Sequence, residues 1–355
     1  MNYALLMSGG VDSALACHFM VEAGLRPDLF YIKIGMQGEG TTCTAEEDLE
    51  LCQLTARRYA LQLHTVDLQQ AYHDSVTAYL VDRVRRGLTP NPDIMCNRLI
   101  KFGAFHQAAG HAYDRIATGH YAQVLREPDG QLWLAPSPDP VKDQSDFLSQ
   151  TYDWQVRKML FPIGHLHKAE VRRQADLLQL PAAHRRDSQG LCFLGRIHYT
   201  DYLRTLLGEQ RGNIINADTG EWLGYHRGHW FHTIGQRKGL RLGGGPWFVT
   251  HKDVATNTLY VSRTADAHGV YRRQFRLTAF HFVTTDPWHG AAECPVLCKI
   301  RHTEPPCPCH MQRLPGGDLL ITSTTPLQGV APGQFGVLYT ADGRICAGSG
   351  EIRTP

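Results

Sequence analysis

Strand-length apolar runs alternate with helix-like periodicity through the first 120 residues, and this alternation restricts the fold more than any other feature of the chain. Tyr3-Ala4-Leu5-Leu6-Met7 is a short apolar run, and residues 12–23 have helical spacing that Gly24 can end. Residues 29–34 read as a second strand. Thr44 and Glu47 form a capping box that opens a helix toward Leu61. Residues 63–66 read as a third strand, 69–86 and 97–112 as helices, and 116–118 as a fourth strand. Strands separated by helices pair in parallel, because parallel neighbours need a crossover connection. The expectation is an α/β domain, a parallel sheet with flanking helices, whose ligands bind beyond the carboxyl ends of the strands.

The rest of the chain has a different character. A hairpin around Pro128-Asp129-Gly130 is followed by helices near residues 146–155 and 168–178. After about Gly212 helical periodicity fades, and short β-like runs alternate with Gly, Asp and Asn turns. This predicts a small central β-rich module and a C-terminal β-barrel, with domains over residues 1–204, 205–268 and 269–355. No apolar run reaches the length of a membrane span. The strand begins almost at Met1, which leaves no room for a signal peptide, so a cytoplasmic setting is expected. In that setting the ten cysteines read as core fillers, metal ligands or reactive thiols rather than a disulfide scaffold.

A net charge of +2 conceals an uneven distribution. Residues 157–211 hold ten Arg/Lys against five Asp/Glu. Residues 225–252 hold five (Arg227, Arg237, Lys238, Arg241, Lys252) and no acid. Each stretch alone is an ordinary solvated face, but together they suggest a polyanionic partner, since phosphate neutralisation supplies most nucleic-acid affinity. The interleaved His226, His229, His232 and His251 read as solvated or RNA-facing.

Three local patterns carry chemistry. Ser8-Gly9-Gly10-Val11-Asp12-Ser13 lies between the first strand and the first helix. Paired glycines let backbone N–H groups turn toward a phosphate, and the helix N-terminus adds partial positive charge. The chain has no G-x-x-x-x-G-K-[ST] and no G-x-G-x-x-G, so neither γ-phosphoryl transfer nor dinucleotide binding is indicated. In Asn91-Pro92-Asp93-Ile94-Met95-Cys96-Asn97 a loop-to-helix junction is expected to put Cys96 near a helix N-terminus, which favours its thiolate. Asp93, three residues earlier, is an acid/base candidate. Asp187-Ser188-Gln189-Gly190-Leu191-Cys192-Phe193 follows Arg185-Arg186, whose charge favours a thiolate and attracts phosphate. Either cysteine alone is better read as a buried inert thiol.

Together the patterns say more. The glycine string resembles the pyrophosphatase loop of the ATP pyrophosphatases. With NPDxxCN and DSxGxC in this order, the whole chain resembles the tRNA-specific 2-thiouridylases. The match continues through Ala117-Thr118-Gly119-His120-Tyr121, Lys142-Asp143-Gln144-Ser145 and His232-Thr233-Ile234-Gly235-Gln236-Arg237-Lys238-Gly239. The resemblance implies 2-thiolation of the wobble uridine of lysine, glutamate and glutamine tRNAs by an ATP-using sulfurtransferase. It implies ATP contacts at Leu6, Met7, Ser8, Gly9, Gly10, Val11, Asp12, Ser13, Ile32 and Gly119, with Mg²⁺ accompanying the phosphates. Cys96 becomes the nucleophile and Cys192 the persulfide carrier. A transient disulfide between the two closes the cycle. Asn91, Pro92 and Asp93 surround the target base, and Lys142, Asp143, Gln144, Arg301 and His302 contact tRNA. The implied partners are tRNA and a sulfur-donor protein, with the chain itself monomeric.

Ile32 stands where many members have Met, and the loop 35–43 lacks their Trp and acidic residues. Two other readings remain at this level: another ATP pyrophosphatase acting on a small molecule, and a non-enzymatic tRNA-binding protein. Cys294, Cys298, Cys307 and Cys309 have poor spacing for zinc, and no metal site is assigned. Cys17, Cys52 and Cys346 fit core positions, and Cys43, in a loop, has no assigned role.

Overall fold

The computed structural model describes residues 1–34, 45–187, 198–264 and 270–354. The calls on Thr44, Cys43, the 35–43 loop and Cys192 lie outside them. Strands β1 (Tyr3–Met7), β2 (Asp28–Lys33), β3 (Leu63–Asp67) and β4 (Arg115–Ala117) pair in parallel, as the alternation requires. The hairpin β5 (Ala122–Arg126) and β6 (Leu132–Pro136) follows, and a two-residue β7 (Met159–Leu160) completes the sheet order β3-β2-β1-β4-β7. β7 is too short to have a periodicity of its own, and its place is set by pairing with β4.

β1 is central, and its alternate side chains feed two cores. Ala4 and Leu6 pack with Phe30, Phe105 and Ile116 on one face, and Leu5 and Met7 with Leu15, Met20 and Leu29 on the other. Helix α1 (Val11–Glu22) buries Val11, Ala14, Leu15, Ala16, Cys17 and Met20, and α2 (Ala45–Tyr59) runs beside it. One helical path links α3 (Gln69–Tyr72), a π-helical turn His73–Thr77 and α4 (Ala78–Arg85). Another links α5 (Pro92–Cys96), a π-helical stretch Asn97–Ala104 and α6 (Phe105–Ala108). Three further helices are α7 (Asp153–Val156), α8 (Lys168–Leu177) and α9 (Tyr199–Leu207). No helix among the described residues is long and apolar enough to cross a membrane.

The central module is a four-stranded sheet of β8 (Gly212–Asn216), β9 (Trp222–His226), β10 (Phe248–Asp253) and β11 (Thr258–Ser262), ordered β10-β11-β8-β9. Its histidines correct the sequence reading. His226, His229 and His232 are buried, and only His251 of the four is exposed. Buried polar groups need partners. His226 Nδ1 accepts from Gly228 N (3.0 Å), which leaves Nε2–H to donate to Asn257 O (3.0 Å). His229 Nδ1 lies 3.1 Å from Asn257 Oδ1. Lys252 is buried as well and donates to His232 O at 2.9 Å. Alternation along the chain shows a run of polar residues, and only the three-dimensional packing shows which are enclosed.

The C-terminal strands β12 (Tyr271–Phe282), β13 (Glu293–Lys299), β14 (Cys307–Arg313), β15 (Leu319–Gln328), β16 (Phe335–Thr340) and β17 (Cys346–Arg353) close into a barrel ordered β12-β15-β14-β13-β16-β17. Closure removes the exposed edges that an open sheet leaves. The barrel docks on the α/β domain through a buried polar seam. Gln150 Nε2 donates to Ser349 O (2.8 Å), Ser149 Oγ to Ser349 Oγ (2.9 Å), and Ser145 Oγ lies 3.2 Å from the Tyr339 hydroxyl. Lys299 sits between Asp143 (3.8 Å) and Asp146 (3.6 Å). This seam fixes one wall of the site described next.

Candidate active site

After β1 the chain turns through Ser8-Gly9-Gly10 into α1. Gly9 has φ +71°, and a Cβ there would lie 2.6 Å from Asp48 O and 2.9 Å from Arg185 Nη1, so only glycine fits. Ser13 Oγ donates to Gly10 O (3.0 Å) and accepts from Ser8 N (3.3 Å), while Ser8 Oγ accepts from Gly10 N (3.3 Å). Gly10, the N-cap of α1, has no side chain to cap the helix, and uncapped first-turn N–H groups are the kind of donors that suit an anion. Leu6 and Met7 are buried on opposite faces of β1, and Ile32 is half-buried on β2 beside them. Gly119 closes the floor, since a Cβ there would meet Asp12 C and Ser13 N at 2.9 Å.

A lysine that no motif singles out ties this loop to the third pattern. Lys168 Nζ, at the start of α8, lies 2.7 Å from Asp12 Oδ1 and 3.0 Å from Asp187 Oδ1. Asp187 also pairs with Lys142 (2.9 Å) and Arg172. Burial works to raise the Asp187 pKa, but hydrogen bonds from Lys142 and Lys168 prevail and hold its carboxyl well below the usual range. The Tyr121 hydroxyl donates to Asp12 at 2.7 Å, and burial together with the Asp12 charge pushes its pKa up. Arg185 donates to Gly9 O at 3.0 Å and pairs with Asp48.

The second pattern departs from expectation in its local geometry. The helix begins at Pro92, not near Asn97. Pro92 is pre-set for the first helical turn, and the Asn91 side chain caps it by accepting from Asp93 N (3.2 Å) and Ile94 N (3.3 Å). Cys96 is therefore the last residue of α5, a full turn inside the helix, and is 1% exposed. The N-terminal field falls on Asp93 rather than on Cys96. Beyond Cys96, Lys101 Nζ lies 3.4 Å from His120 Nε2, and His120 Nδ1 lies 2.7 Å from Thr118 Oγ1. Burial, helped by Lys101, depresses the His120 pKa well below its ordinary value. Residues 118–121 thus join the Cys96 helix to the glycine loop.

Of the residues expected to meet tRNA, Asp143 is buried and accepts from Ser137 N (3.0 Å) and from the Ser145 hydroxyl (2.9 Å). Gln144 Oε1 accepts from Tyr121 N at 3.0 Å, which fixes the loop beside Asp12. Arg301 and His302 stand on the barrel. Arg301 donates to Gly329 O (3.3 Å), and His302 stacks on Phe147 (4.3 Å between centroids) with Nδ1 3.1 Å from Asp146 Oδ2. A cleft of about 160 Å³ brings these residues together with the second pattern: Pro90, Asn91 and Ile94 face Asp146, Lys299, Arg301, His302 and Gln334. The buried Gln334 Oε1 has no hydrogen-bond partner among the described residues. Lys168, Asp146, Lys299 and Gln334 escaped the sequence reading because each is one polar residue in an ordinary helix, strand or turn.

A glycine loop at the carboxyl end of a parallel sheet, followed by a small β-module and a closed barrel, defines a three-part class. Family models for the tRNA methyl transferase HUP domain, the tRNA methyl transferase PRC-barrel domain and the aminomethyltransferase β-barrel domain match residues 1–196, 200–263 and 272–352. The chain is 52% identical over 354 residues to the tRNA-specific 2-thiouridylase MnmA 1 of Bacteroides thetaiotaomicron, covering 99% of both chains. It is 53% identical to MnmA 2 of Bacteroides fragilis, covering 99% of this chain and 100% of that one, and 48% identical to MnmA of Parabacteroides distasonis, covering 99% of each. The chain belongs to the tRNA-specific 2-thiouridylase family.

Proposed function

We propose that this protein uses ATP to thiolate the wobble uridine of tRNA at C2, with the lysine, glutamate and glutamine tRNAs as substrates. The observation that carries this reading is near-full-length identity of about half to the 2-thiouridylases, together with one site that joins the glycine loop, the Cys96 helix and the Asp187 anchor.

The glycine loop holds the ATP phosphates with its backbone, and Lys168 and Arg185 place positive charge beside them. The uridine 2-oxygen is a poor leaving group. Its attack on the α-phosphorus releases pyrophosphate and leaves C2 bonded to an adenylated oxygen. The terminal sulfur of a Cys192 persulfide then attacks C2, and AMP departs. Cys96 thiolate attacks the Cys192 sulfur, which breaks the S–S bond, frees 2-thiouridine and leaves a Cys96–Cys192 disulfide that a thiol reductant reopens. In a variant of this route Cys96 releases the sulfur from the persulfide before C2 is attacked. Because Cys96 is enclosed, the base reaches it only after flipping out of the anticodon stack and displacing the groups that cover the thiol. Asp93 is positioned one turn before Cys96 to exchange a proton with the base.

The described residues contain no group of three metal-ligating side chains, and Asp12 and Asp187 are engaged by Lys168. Mg²⁺ would accompany the ATP phosphates and neutralise part of their charge. The sulfur donor is a persulfide-bearing protein, and the chain acts as a monomer in the cytoplasm.

The test is ATP-dependent incorporation of labelled sulfur into tRNA. Cys96→Ser and Cys192→Ser are each expected to abolish incorporation while tRNA binding survives. Full activity in either variant refutes the two-thiol route, and turnover without RNA restores the small-molecule reading.

A further inference from the structure

Two of the more exposed large rings of the described chain lie side by side on the central module. Trp222 and Tyr225, both on edge strand β9, are each 51% exposed, and their centroids are 4.9 Å apart at 68°. Residues three apart on a regular strand point to opposite faces. Here they share one, because the register slips: Ile214 pairs with Gly224 but Ile215 pairs with Trp222, leaving Leu223 as a bulge. Gly224, at φ +152°, lies within that bulge. Bulges of this kind re-aim side chains. This one turns a second aromatic ring outward, where burial alone would favour turning it in.

The rings are also held in place. Trp222 Nε1 donates to Asn213 Oδ1 at 3.2 Å, and the Arg211 guanidinium carbon lies 3.4 Å from the Tyr225 ring centroid. Arg211 places one positive charge on the platform itself. The chain from Tyr225 to Lys252 carries five Arg/Lys and no acid, and exposed Glu221 directly precedes Trp222. Fixed aromatic rings and a stacked guanidinium together suit an unstacked nucleobase and its phosphate, because bases stack on aromatic and Arg planes without regard to sequence.

We propose that Trp222, Tyr225 and Arg211 form a stacking platform for an unpaired nucleotide of the tRNA substrate, separate from the reaction centre. The platform rests on the tRNA reading above. It adds a second anchoring point that orients the RNA while the wobble base is withdrawn.

The experiment compares tRNA affinity of the full chain with that of Trp222→Ala/Tyr225→Ala, at several salt concentrations. Loss of base stacking is expected to weaken binding on the order of tenfold. The slope of log affinity against log salt should stay unchanged, because no phosphate contact is removed. Trp222→Phe/Tyr225→Phe, which keeps both rings, should restore most of the affinity, and ATP binding and thermal midpoint should match the unaltered chain. Equal tRNA affinity in the double-alanine variant overturns the platform and leaves the thiolation reading intact, as does a loss that the phenylalanine variant fails to recover. Absence of tRNA binding by the unaltered chain overturns both.

Discussion

Replacing Lys168 by Met removes one charge while keeping most of the side-chain volume, so it isolates the bridge between Asp12 and Asp187. Lys168 is 13% exposed, with Nζ 2.7 and 3.0 Å from the two carboxylates. Unit charges 3 Å apart attract by about 5 kcal/mol at an effective dielectric of about 20. Most of that attraction is offset by stripping water from the ammonium group. Asp187 also retains Lys142 and Arg172, and Asp12 retains the Tyr121 hydroxyl. The carboxylates are 31% and 27% exposed, which screens the remainder. The expected net loss of stability is therefore about 1–2 kcal/mol, below the roughly 3–5 kcal/mol of a fully buried orphaned charge. The functional loss should be larger in kind. Lys168 anchors the residue from which the chain departs toward Cys192, so sulfur transfer should fall about tenfold or more, equivalent to about 1.4 kcal/mol of barrier. Urea unfolding gives the first quantity and single-turnover thiolation gives the second. A variant within about 0.3 kcal/mol and about twofold of the unaltered chain would refute the bridge as an organising contact.

Gly9→Ala should weaken ATP binding by about tenfold or more, because the added methyl meets the Asp48 backbone at a left-handed φ that costs about 1–2 kcal/mol by itself; calorimetry showing unchanged affinity would remove the loop from the phosphate site. Acidification should destabilise the central module. Burial, with His226 and Lys252 nearby, lowers the His232 pKa to about 4, so between the ordinary value of 6.5 and 4 the unfolded chain binds the extra proton. Stability contributed by neutral His232 is complete above that window and declines through it, by an amount on the order of 2–3 kcal/mol. His232→Phe should flatten the fall in urea midpoint between neutral and acid pH, and an identical fall in both proteins contradicts the assignment.

The alternating pattern was enough to set the parallel direction of β1 to β4, while their sheet order β3-β2-β1-β4 came from the structure. Each apolar run of β1 to β4 is bounded by helix or turn residues, and crossover geometry leaves little choice once helices separate the strands. The glycine loop was legible for a similar local reason, since paired glycines and a helix start at the end of a strand have a backbone meaning wherever they occur. The start of the Cys96 helix was misplaced because Asn91 and Pro92 punctuate a loop as readily as they open a helix. The choice came from the Asn91 side chain meeting Asp93 N and Ile94 N.

Burial and long-range charge pairing belong to the tertiary structure alone. His226, His229 and His232 look identical to exposed histidines along the chain, and their enclosure comes from Asn257 and the strands packed around them. Lys168 is 156 residues from Asp12, and Gln334 is more than 240 residues from Asn91, yet each pair meets at the site. Periodicity and turn chemistry act over a few residues and can be read in order. Solvent exclusion and ion pairing depend on distances through space, which exist only after the sheet, the module and the barrel have packed.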